Sequence, residues 1–306
     1  MSAVIEVHMP ATALVLEQVV RRAFVDACIL DVTALKPGNV GIHGSGHGME
    51  VADFIRSAVA AAPAIAGASQ SVGERIYRAI AATQSAVAMN TNLGIVLLTA
   101  PLAQAAHLAG LPSSAEDLRE ALTQVLPALT IADAQLAFDA IQLANPGGLG
   151  AAEQNDVREP ARVTLLEAMR EAADRDSIAR QYANAYADIV EVGLGRLHAA
   201  RVGGRHRRRG ATEAYLGYLA ALPDSHVARK FGLPRAQSLQ RDAADYAAVA
   251  SAHRDWDAKL RGWDVVLKSE GLNPGTSADL TVAALFWDLL MQEGVGAGNS
   301  ISPGMQ

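Results

Sequence analysis

Four glycine-containing segments of the chain place polar side chains where helices are expected to begin. They are LKPGNV with GSGHGMEVADFIRS (35–57), MNTNLG (89–94), ANPGGLG (144–150) and LNPGTSADLT (272–281). The free N–H groups and positive dipole end of a helix N-terminus suit phosphate. The sequence contains neither a Walker P-loop nor an established nucleophile motif. These segments alone therefore indicate a helical phosphate-binding protein only weakly.

In the first segment, Lys36 could bind a phosphate as a point charge. Glu50, Asp53 and Arg56 follow at spacings of three, which places them on one helical face. Carboxylates at this spacing can share a Mg²⁺ ion that a polyphosphate already holds. The alternative is a helix start with acids near the positive dipole end, and spacing alone favours that alternative.

The other segments leave similar alternatives open. Asn90, Thr91 and Asn92 are three capping-type residues in a row, more than one cap needs, which hints at hydrogen bonds to a ligand. Asp156 follows the third segment and either caps the next helix or binds metal. Asp279 is expected in the first turn of an apolar helix that Thr276 or Ser277 caps, where it suits the dipole, a metal or a sugar hydroxyl.

The elements that must position these residues are predicted to be helices. Leu16, Val20, Ala23, Ala27 and Leu30 recur with helical spacing, and no segment alternates with the period of a strand. Further helices are expected near 73–89, 93–109, 114–126, 130–143, 160–173, 176–200, 211–221, 235–249 and 251–268, with a last one ending near Met291. The prediction is an all-α fold, a single large multi-helix bundle with glycine-rich loops at helix starts. It forms one catalytic domain over residues 1–292 with a disordered tail over 293–306.

Composition limits the possible partners. A net charge of −6 argues against nucleic-acid binding. The basic run at 205–209 between glycines is expected to be a solvated loop, or alternatively a flexible loop that closes over a polyphosphate. No leader peptide, long apolar run or pair of cysteines is present, so we expect a cytoplasmic protein that neither enters a membrane nor forms an internal disulfide. A homodimer is possible.

Taken together and in order, the segments KPGNV, GHGMEVADFIRSA, NTNLG and NPGTSADLT resemble the triphosphoribosyl-dephospho-CoA synthase family. The stretches at 156–189 and SHVARKFG (225–232) are similar to the branch found in methanogens and methylotrophs. The resemblance implies an all-α enzyme that uses ATP and 3′-dephospho-CoA. The 2′-hydroxyl of the acceptor attacks C1′ of the ATP ribose, adenine leaves, and Mg²⁺ accompanies the triphosphate.

The resemblance also turns the polar segments into candidate site residues. The catalytic candidates are His47, Asp53 and Asp279. The candidates for metal binding are Glu50, Asp53, Asp156 and Asp279. The candidates for substrate binding are Lys36, Gly38, Arg56, Asn90, Thr91, Asn92, Gly94, Asn273, Gly275 and Thr276.

The chain departs from the family pattern at two places. Well-known members carry an acid soon after the loop histidine, where this chain has Gly48, although Glu50 lies close by. Well-known members have threonine, histidine, lysine and glycine where this chain has Thr91, Asn92, Leu93 and Gly94. The loss of two basic groups suggests a changed acceptor. The resemblance to the branch found in methanogens and methylotrophs implies one such acceptor, an intermediate of a tetrahydromethanopterin-type one-carbon cofactor. The alternative from another class is a non-catalytic helical nucleotide-binding protein. Polar segments that converge on one cavity would favour the enzyme.

Overall fold

The fold is all-α in a computed structural model that describes residues 11–110, 112–147, 154–249 and 255–300. Within these ranges the chain forms 14 α-helices and no strand, which confirms the predicted fold class. The helices are α1 Ala11–Thr33, α2 Val51–Ala66, α3 Val72–Val87, α4 Leu93–Ala109, α5 Ala115–Val125, α6 Ile131–Ala144, α7 Leu165–Ala172, α8 Ser177–Ala183, α9 Gly195–Val202, α10 Arg207–Ala221, α11 Ser225–Phe231, α12 Leu233–Ala248, α13 Trp256–Ser269 and α14 Gly275–Ser300.

Local sequence explains where several of these helices begin. Ser71, Ser114, Thr130 and Thr164 precede α3, α5, α6 and α7. Each of the four side chains accepts a hydrogen bond from the backbone N–H three residues later, and an acid at that later position bonds back. This reciprocal capping box satisfies donors that a helix start otherwise leaves free. These helices therefore start where short-range chemistry dictates.

Helix α14 lies at the centre of the main hydrophobic core. Its residues from Leu280 to Leu290 are almost all buried, as expected for a helix that is apolar on every side. It packs against α1, α4 and α10, and Phe286 meets Phe24 of α1 edge to face with ring centroids 6.2 Å apart. In the described part of the chain, no helix has both the length and the apolar character to cross a membrane.

A second cluster of buried side chains lies beneath α10, α11, α12 and α13. Tyr215 and Leu216 of α10 belong to it, whereas Ala214 and Tyr218 of the same helix belong to the main core. Helix α10 therefore contributes to both clusters. The single-domain boundary at residue 292 stays a prediction.

Pro101 lies inside α4 and leaves a backbone carbonyl there available to a side chain from α8. A proline has no N–H, so the carbonyl of Leu97, four residues earlier, loses its helical donor. The hydroxyl of Tyr182 at the end of α8 donates to that carbonyl at 2.6 Å, and Tyr186 donates to the Leu98 carbonyl at 2.9 Å. Helix α8 is thereby held beside the start of α4.

Three expected elements differ from the structure. The single helix expected at 176–200 is broken because Ala185 and Tyr186 adopt left-handed backbone (φ 52° and 63°), and a π-helical segment, Ile189–Leu194, then leads into α9. The basic run is a loop only at Arg205 and His206: Arg207 begins α10, and the Arg209 guanidinium lies 3.5 Å from the centre of the Trp256 ring. The last helix continues to Ser300 through the first part of the expected disordered tail, and 301–306 fall outside the described residues.

Candidate active site

A cavity of about 810 Å³ lies where the starts of α4 and α14 meet the end of α1 and the α7–α8 pair. This volume is within the range of roughly 300–1,000 Å³ that is typical of small-molecule sites. Its apolar wall includes Phe54, Leu97, Phe138, Ile141, Met169 and Ile178. Its polar wall includes Asp31, Asn39, Asn92, Asp176, Arg229 and Asp279. We refer to it below as the central cavity.

The start of α4 forms one wall of the central cavity. Asn90, Thr91, Asn92 and Gly94 all line it, as the sequence predicted for this segment. The Asn90 side chain accepts the Leu93 N–H at 3.2 Å and therefore supplies the cap. The Thr91 hydroxyl lies 2.5 Å from the Ser57 hydroxyl on α2, and the Asn92 amide donates to the Thr83 hydroxyl on α3 at 2.9 Å. The two residues beyond the cap thus connect three helices at the cavity.

The start of α14 forms the facing wall, to which Asn273, Gly275 and Asp279 contribute. Its cap comes from another element: Asp224, just before α11, accepts the Ser277 N–H at 2.8 Å and the Ser277 hydroxyl at 2.9 Å. The predicted substrate ligand Thr276 is buried and does not line the cavity, because its hydroxyl accepts the His226 N–H at 3.2 Å. Helix α14 begins at Gly275, so Asp279 lies in its second turn rather than in the expected first turn.

Asp279 reaches the cavity because residue 94 is a glycine. A Cβ atom at position 94 would overlap the Asp279 carboxyl and would lie only 2.6 Å from Ile178 Cδ1. Burial raises the pKa of Asp279 well above its ordinary value, and the carboxyls of Asp31 and Asp224 raise it further. Burial and the neighbouring carboxyls thus both favour the neutral form of Asp279, which is the form that can donate a proton.

Lys36 does not reach the central cavity, contrary to the predicted phosphate contact. Its ammonium group is buried against the carboxylate of Asp31 and also donates to Asn39 Oδ1 at 2.7 Å. The Asn39 amide donates in turn to Asn273 Oδ1 at 2.8 Å. Burial raises the pKa of Asp31, and Lys36 counteracts that rise. The Lys36 ammonium thus forms a buried ion pair with the Asp31 carboxylate and does not contact the site of a substrate phosphate.

Gly38 likewise has a structural position rather than a place in the cavity wall. Its backbone is left-handed (φ 82°), and its N–H donates to Asp264 Oδ1 at 2.8 Å. A Cβ atom here would lie 2.9 Å from Pro274 Cδ. The glycine therefore allows the loop after α1 to pack closely against the residues that precede α14.

The predicted group on α2 also lies outside the cavity wall. Asp53 accepts the Glu50 N–H at 2.9 Å with one oxygen and pairs with Arg56 at 2.6 Å with the other. The local alternative, an acid that completes its own helix start, accounts for these three residues. His47 is exposed, and its Nε2 atom lies 3.0 Å from the Gly38 carbonyl.

The four predicted metal ligands do not come together. Glu50 and Asp53 lie at the start of α2, whereas Asp156 and Asp279 line the central cavity. Asp156 binds Arg158 through both oxygens, at 2.8 and 2.6 Å. Within the described ranges, no group of three histidine, cysteine or acidic side chains could hold a metal ion. Asp31 is paired with Lys36, Asp156 with Arg158 and Asp176 with Arg229, so these residues do not fit a resident metal site.

Sequence reasoning missed several residues that line the cavity, among them Asp31, Asp176, His226 and Arg229. Arg229 on α11 pairs with Asp176 at 2.7 Å, so α8 and α11 are joined at this wall. Burial lowers the pKa of His226 to about 4, with help from the nearby Lys230 and Arg229, so this imidazole is neutral at neutral pH. Asp176 and Asp224, each followed by a serine, cap α8 and α11, and this capping signal could have revealed both helices.

Comparison with models of protein families matches residues 17–296 to CitG, described as ATP:dephospho-CoA triphosphoribosyl transferase. The chain belongs to this family. A crystal structure provisionally assigned as a triphosphoribosyl-dephospho-CoA synthase from Archaeoglobus fulgidus is also similar to it. That match has a TM-score of 0.61 and 25% identity, and it covers 77% of this chain and 97% of the other. No curated protein matches the chain.

Membership in the CitG family makes the chain a transferase. The convergence of the polar segments agrees with an enzyme rather than with a set of separate caps. All four segments contribute to the central cavity, through Asn39 and Met49, Asn90 to Gly94, Pro146 and Gly147, and Asn273, Gly275, Ala278 and Asp279. The residues Gly148 to Gly150 of the third segment lie outside the described ranges. Asn92 and Leu93, where the chain departs from the family pattern, lie in the cavity wall.

Proposed function

We propose that this chain transfers the triphosphoribosyl group of ATP to a hydroxyl of 3′-dephospho-CoA and releases adenine. The observation that carries the proposal is the meeting of two long-helix starts, α4 and α14, at a cavity that contains the buried carboxyl of Asp279. The family match supports the reaction class. A protein that only senses a nucleotide would not need a buried proton donor at this position.

The donor ATP would place its triphosphate against the helix starts. The positive dipole ends of α4 and α14 favour an anion there. Arg175, on another part of the wall, adds positive charge, whereas Arg229 is paired with Asp176. Mg²⁺ enters in this proposal as part of the ATP complex, since the described carboxyls do not form a metal site of their own.

The chemistry requires one proton to leave the acceptor and one to reach adenine. The acceptor hydroxyl oxygen forms a bond to C1′ of the ATP ribose, while the bond from C1′ to the adenine nitrogen breaks and its electron pair stays with adenine. The neutral carboxyl of Asp279 would donate a proton to the departing base. A positioned general acid of this kind contributes about 10²–10⁴-fold to the rate.

We expect a single displacement at C1′. Cys28 is buried, and burial raises the pKa of its thiol, so it is unsuited to act as a covalent nucleophile. A single displacement inverts C1′, and the β-linked ribose of ATP then yields an α-linked product. Proton NMR of the purified product measures this configuration. A β-linked product would contradict the mechanism and indicate two successive displacements.

The identity of the acceptor depends most on the residues of the cavity wall. Asn92 and Leu93 stand where well-known family members have histidine and lysine, so two positive charges are absent from the wall of the central cavity. Transfer to an intermediate of a tetrahydromethanopterin-type cofactor, which the resemblance to the methanogen and methylotroph branch suggests, stays an alternative. Direct competition between the two acceptors tests it.

The decisive experiment is incubation of the purified chain with ATP, Mg²⁺ and each candidate acceptor, followed by mass spectrometry. We expect free adenine and a triphosphoribosylated acceptor in equal amounts. CoA, whose 3′-position carries a phosphate, is the matched control acceptor. Release of ADP or AMP without adenine would contradict ribosyl transfer for every acceptor.

A further inference from the structure

Two buried side-chain oxygens beside the central cavity have no hydrogen-bond partner in the described part of the chain. They are Asp31 Oδ1 and Asn92 Oδ1, on residues that are each only 4% exposed. Both residues also border a void of about 10 Å³, walled by Cys28, Phe54 and Ile95. Folded proteins keep few buried acceptors without a donor, because each one is destabilising. The pair points to a ligand that supplies the missing donors.

The other polar atoms of both side chains are fixed. Asp31 Oδ2 binds the Lys36 ammonium, whose side chain is 1% exposed and which also donates to Asn39. Asn92 Nδ2 donates to the Thr83 hydroxyl at 2.9 Å. A carboxylate that a third group orients, and whose second oxygen is free, matches the arrangement of a catalytic base.

The shape and charge of this corner limit the donor. A cationic donor would be repelled by the buried ammonium of Lys36 next to Asp31, so neutral O–H groups fit better. A void of this size takes about one water-sized oxygen. Since both acceptors also line the central cavity, a ligand there can place one hydroxyl near each of them. Two adjacent hydroxyls that both donate are the feature of an unmodified ribose.

We infer that Asp31 and Asn92 bind the vicinal diol of the acceptor ribose, with Asp31 as the base for the attacking hydroxyl and Asn92 as the acceptor for its neighbour. This inference rests on the proposed function. The 2′-O–H bond breaks, its proton passes to Asp31 Oδ1, and the oxygen bonds to C1′ as the electron pair of the C1′–adenine bond leaves with adenine. A 3′-phosphate would replace a donor by negatively charged acceptors, so CoA is excluded at this corner.

The test combines Asp31→Asn with 2′-deoxy and 3′-deoxy analogues of dephospho-CoA. We expect Asp31→Asn to lower kcat by about 10²–10⁴-fold while KM for ATP stays unchanged. Calorimetry without ATP should show that loss of either hydroxyl weakens binding to the wild-type chain by roughly three- to tenfold. Asp31→Asn should no longer distinguish the 2′-deoxy analogue from its parent. Asp288→Asn, which breaks an ion pair with Arg201 outside the cavity, is the matched control and should behave as wild type.

A second variant separates a loss of catalysis from a loss of folding. Asp31→Asn strands the buried Lys36 charge, whereas Asp31→Asn with Lys36→Met keeps the pair neutral and should show the same loss of turnover. Wild-type turnover with an equally active Asp31→Asn chain would overturn the inference alone. A wild-type chain that neither binds nor modifies dephospho-CoA would overturn the proposed function and the inference with it. A further outcome concerns the donor. If Asp31→Asn changes the preference for ATP over its 2′- and 3′-deoxy forms but does not change the preference among the acceptor analogues, the bound diol belongs to ATP, and the assignment to the acceptor is overturned.

Discussion

The starts of α2 and α14 look alike in sequence, yet the structure uses their acids differently. Each start follows a glycine-containing loop and has an aspartate soon after it, Asp53 and Asp279. At α2, both carboxylate oxygens of Asp53 bind groups of the same helix start. At α14, Asp224 supplies the cap from another loop, and Asp279 faces the central cavity.

This difference shows what separates a structural acid from a candidate catalytic one. A helix start needs a limited number of acceptors, and an acid that supplies them has no free oxygen for a ligand. At α14 the distant Asp224 supplies the cap, and Asp279 lies in the second turn, beyond the N–H groups of the helix start, so its carboxyl is available to a ligand. The three predictions that follow test this comparison.

The largest effect is expected for Asp279→Asn. Loss of one preorganised electrostatic group at the reacting centre should lower kcat by about 10²–10³-fold. The free energy of unfolding should change little, because burial already favours the neutral carboxyl, which an amide closely resembles. Steady-state kinetics and urea unfolding measure the two quantities. Wild-type turnover in this variant would remove Asp279 from the mechanism.

Gly94→Ala should have an intermediate effect. The added Cβ would overlap the Asp279 carboxyl and Ile178, and overpacking of this kind costs about 1–3 kcal/mol. We expect a lower melting temperature together with reduced turnover, because the carboxyl must move. Gly262→Ala is the matched control: Gly262 is a helical glycine with open space around its Cβ position, so the change should stabilise the protein by about 0.5–1 kcal/mol. Equal behaviour of the two variants would argue against the close fit at Gly94.

Asp53→Asn should have the smallest effect on turnover, which we expect to stay at the wild-type value. The Glu50 N–H, followed by Arg56, holds the pKa of Asp53 below its ordinary value. The contribution of this carboxylate to stability is therefore fully present above the unfolded-state pKa of about 3.9 and is lost as pH falls through the lower folded-state pKa. Thermal melts should show wild type above the variant at neutral pH and a vanishing difference in strong acid. A large fall in kcat would instead place Asp53 in the active site.

Much of the fold could be predicted from sequence because it depends on local signals. Helical spacing and caps located α4 and α5 closely. The candidate residues of the segment MNTNLG, together with Asn273, Gly275 and Asp279, line the central cavity as expected. These residues lie at helix starts, where the chain's own short-range pattern decides the structure. The almost continuous apolar run after Asp279 likewise identified α14 as an apolar helix.

The remainder depends on contacts between residues distant in the chain. Asp31 belongs to the first helical pattern and carries no local sign of burial; only the return of the following loop brings Lys36 against it. The same contact removes Lys36 from the list of phosphate ligands. His226 and Arg229 lie on a seven-residue helix that periodicity alone does not reveal. The ion-pair and hydrogen-bond partners of these residues, rather than their residue types, decide their roles.

The contact between Tyr182 and the segment around Pro101 can be lost through two orders of substitution, and the two orders differ in their effect on stability. Replacement of the tyrosine first would leave the Leu97 carbonyl without a donor, since the proline at position 101 cannot supply one. Replacement of the proline first restores a backbone N–H to α4 and frees the tyrosine hydroxyl from its task. One of the two routes by which a lineage can lose this contact therefore passes through a destabilised protein, and the other does not. Descendants that keep the proline should accordingly keep the tyrosine.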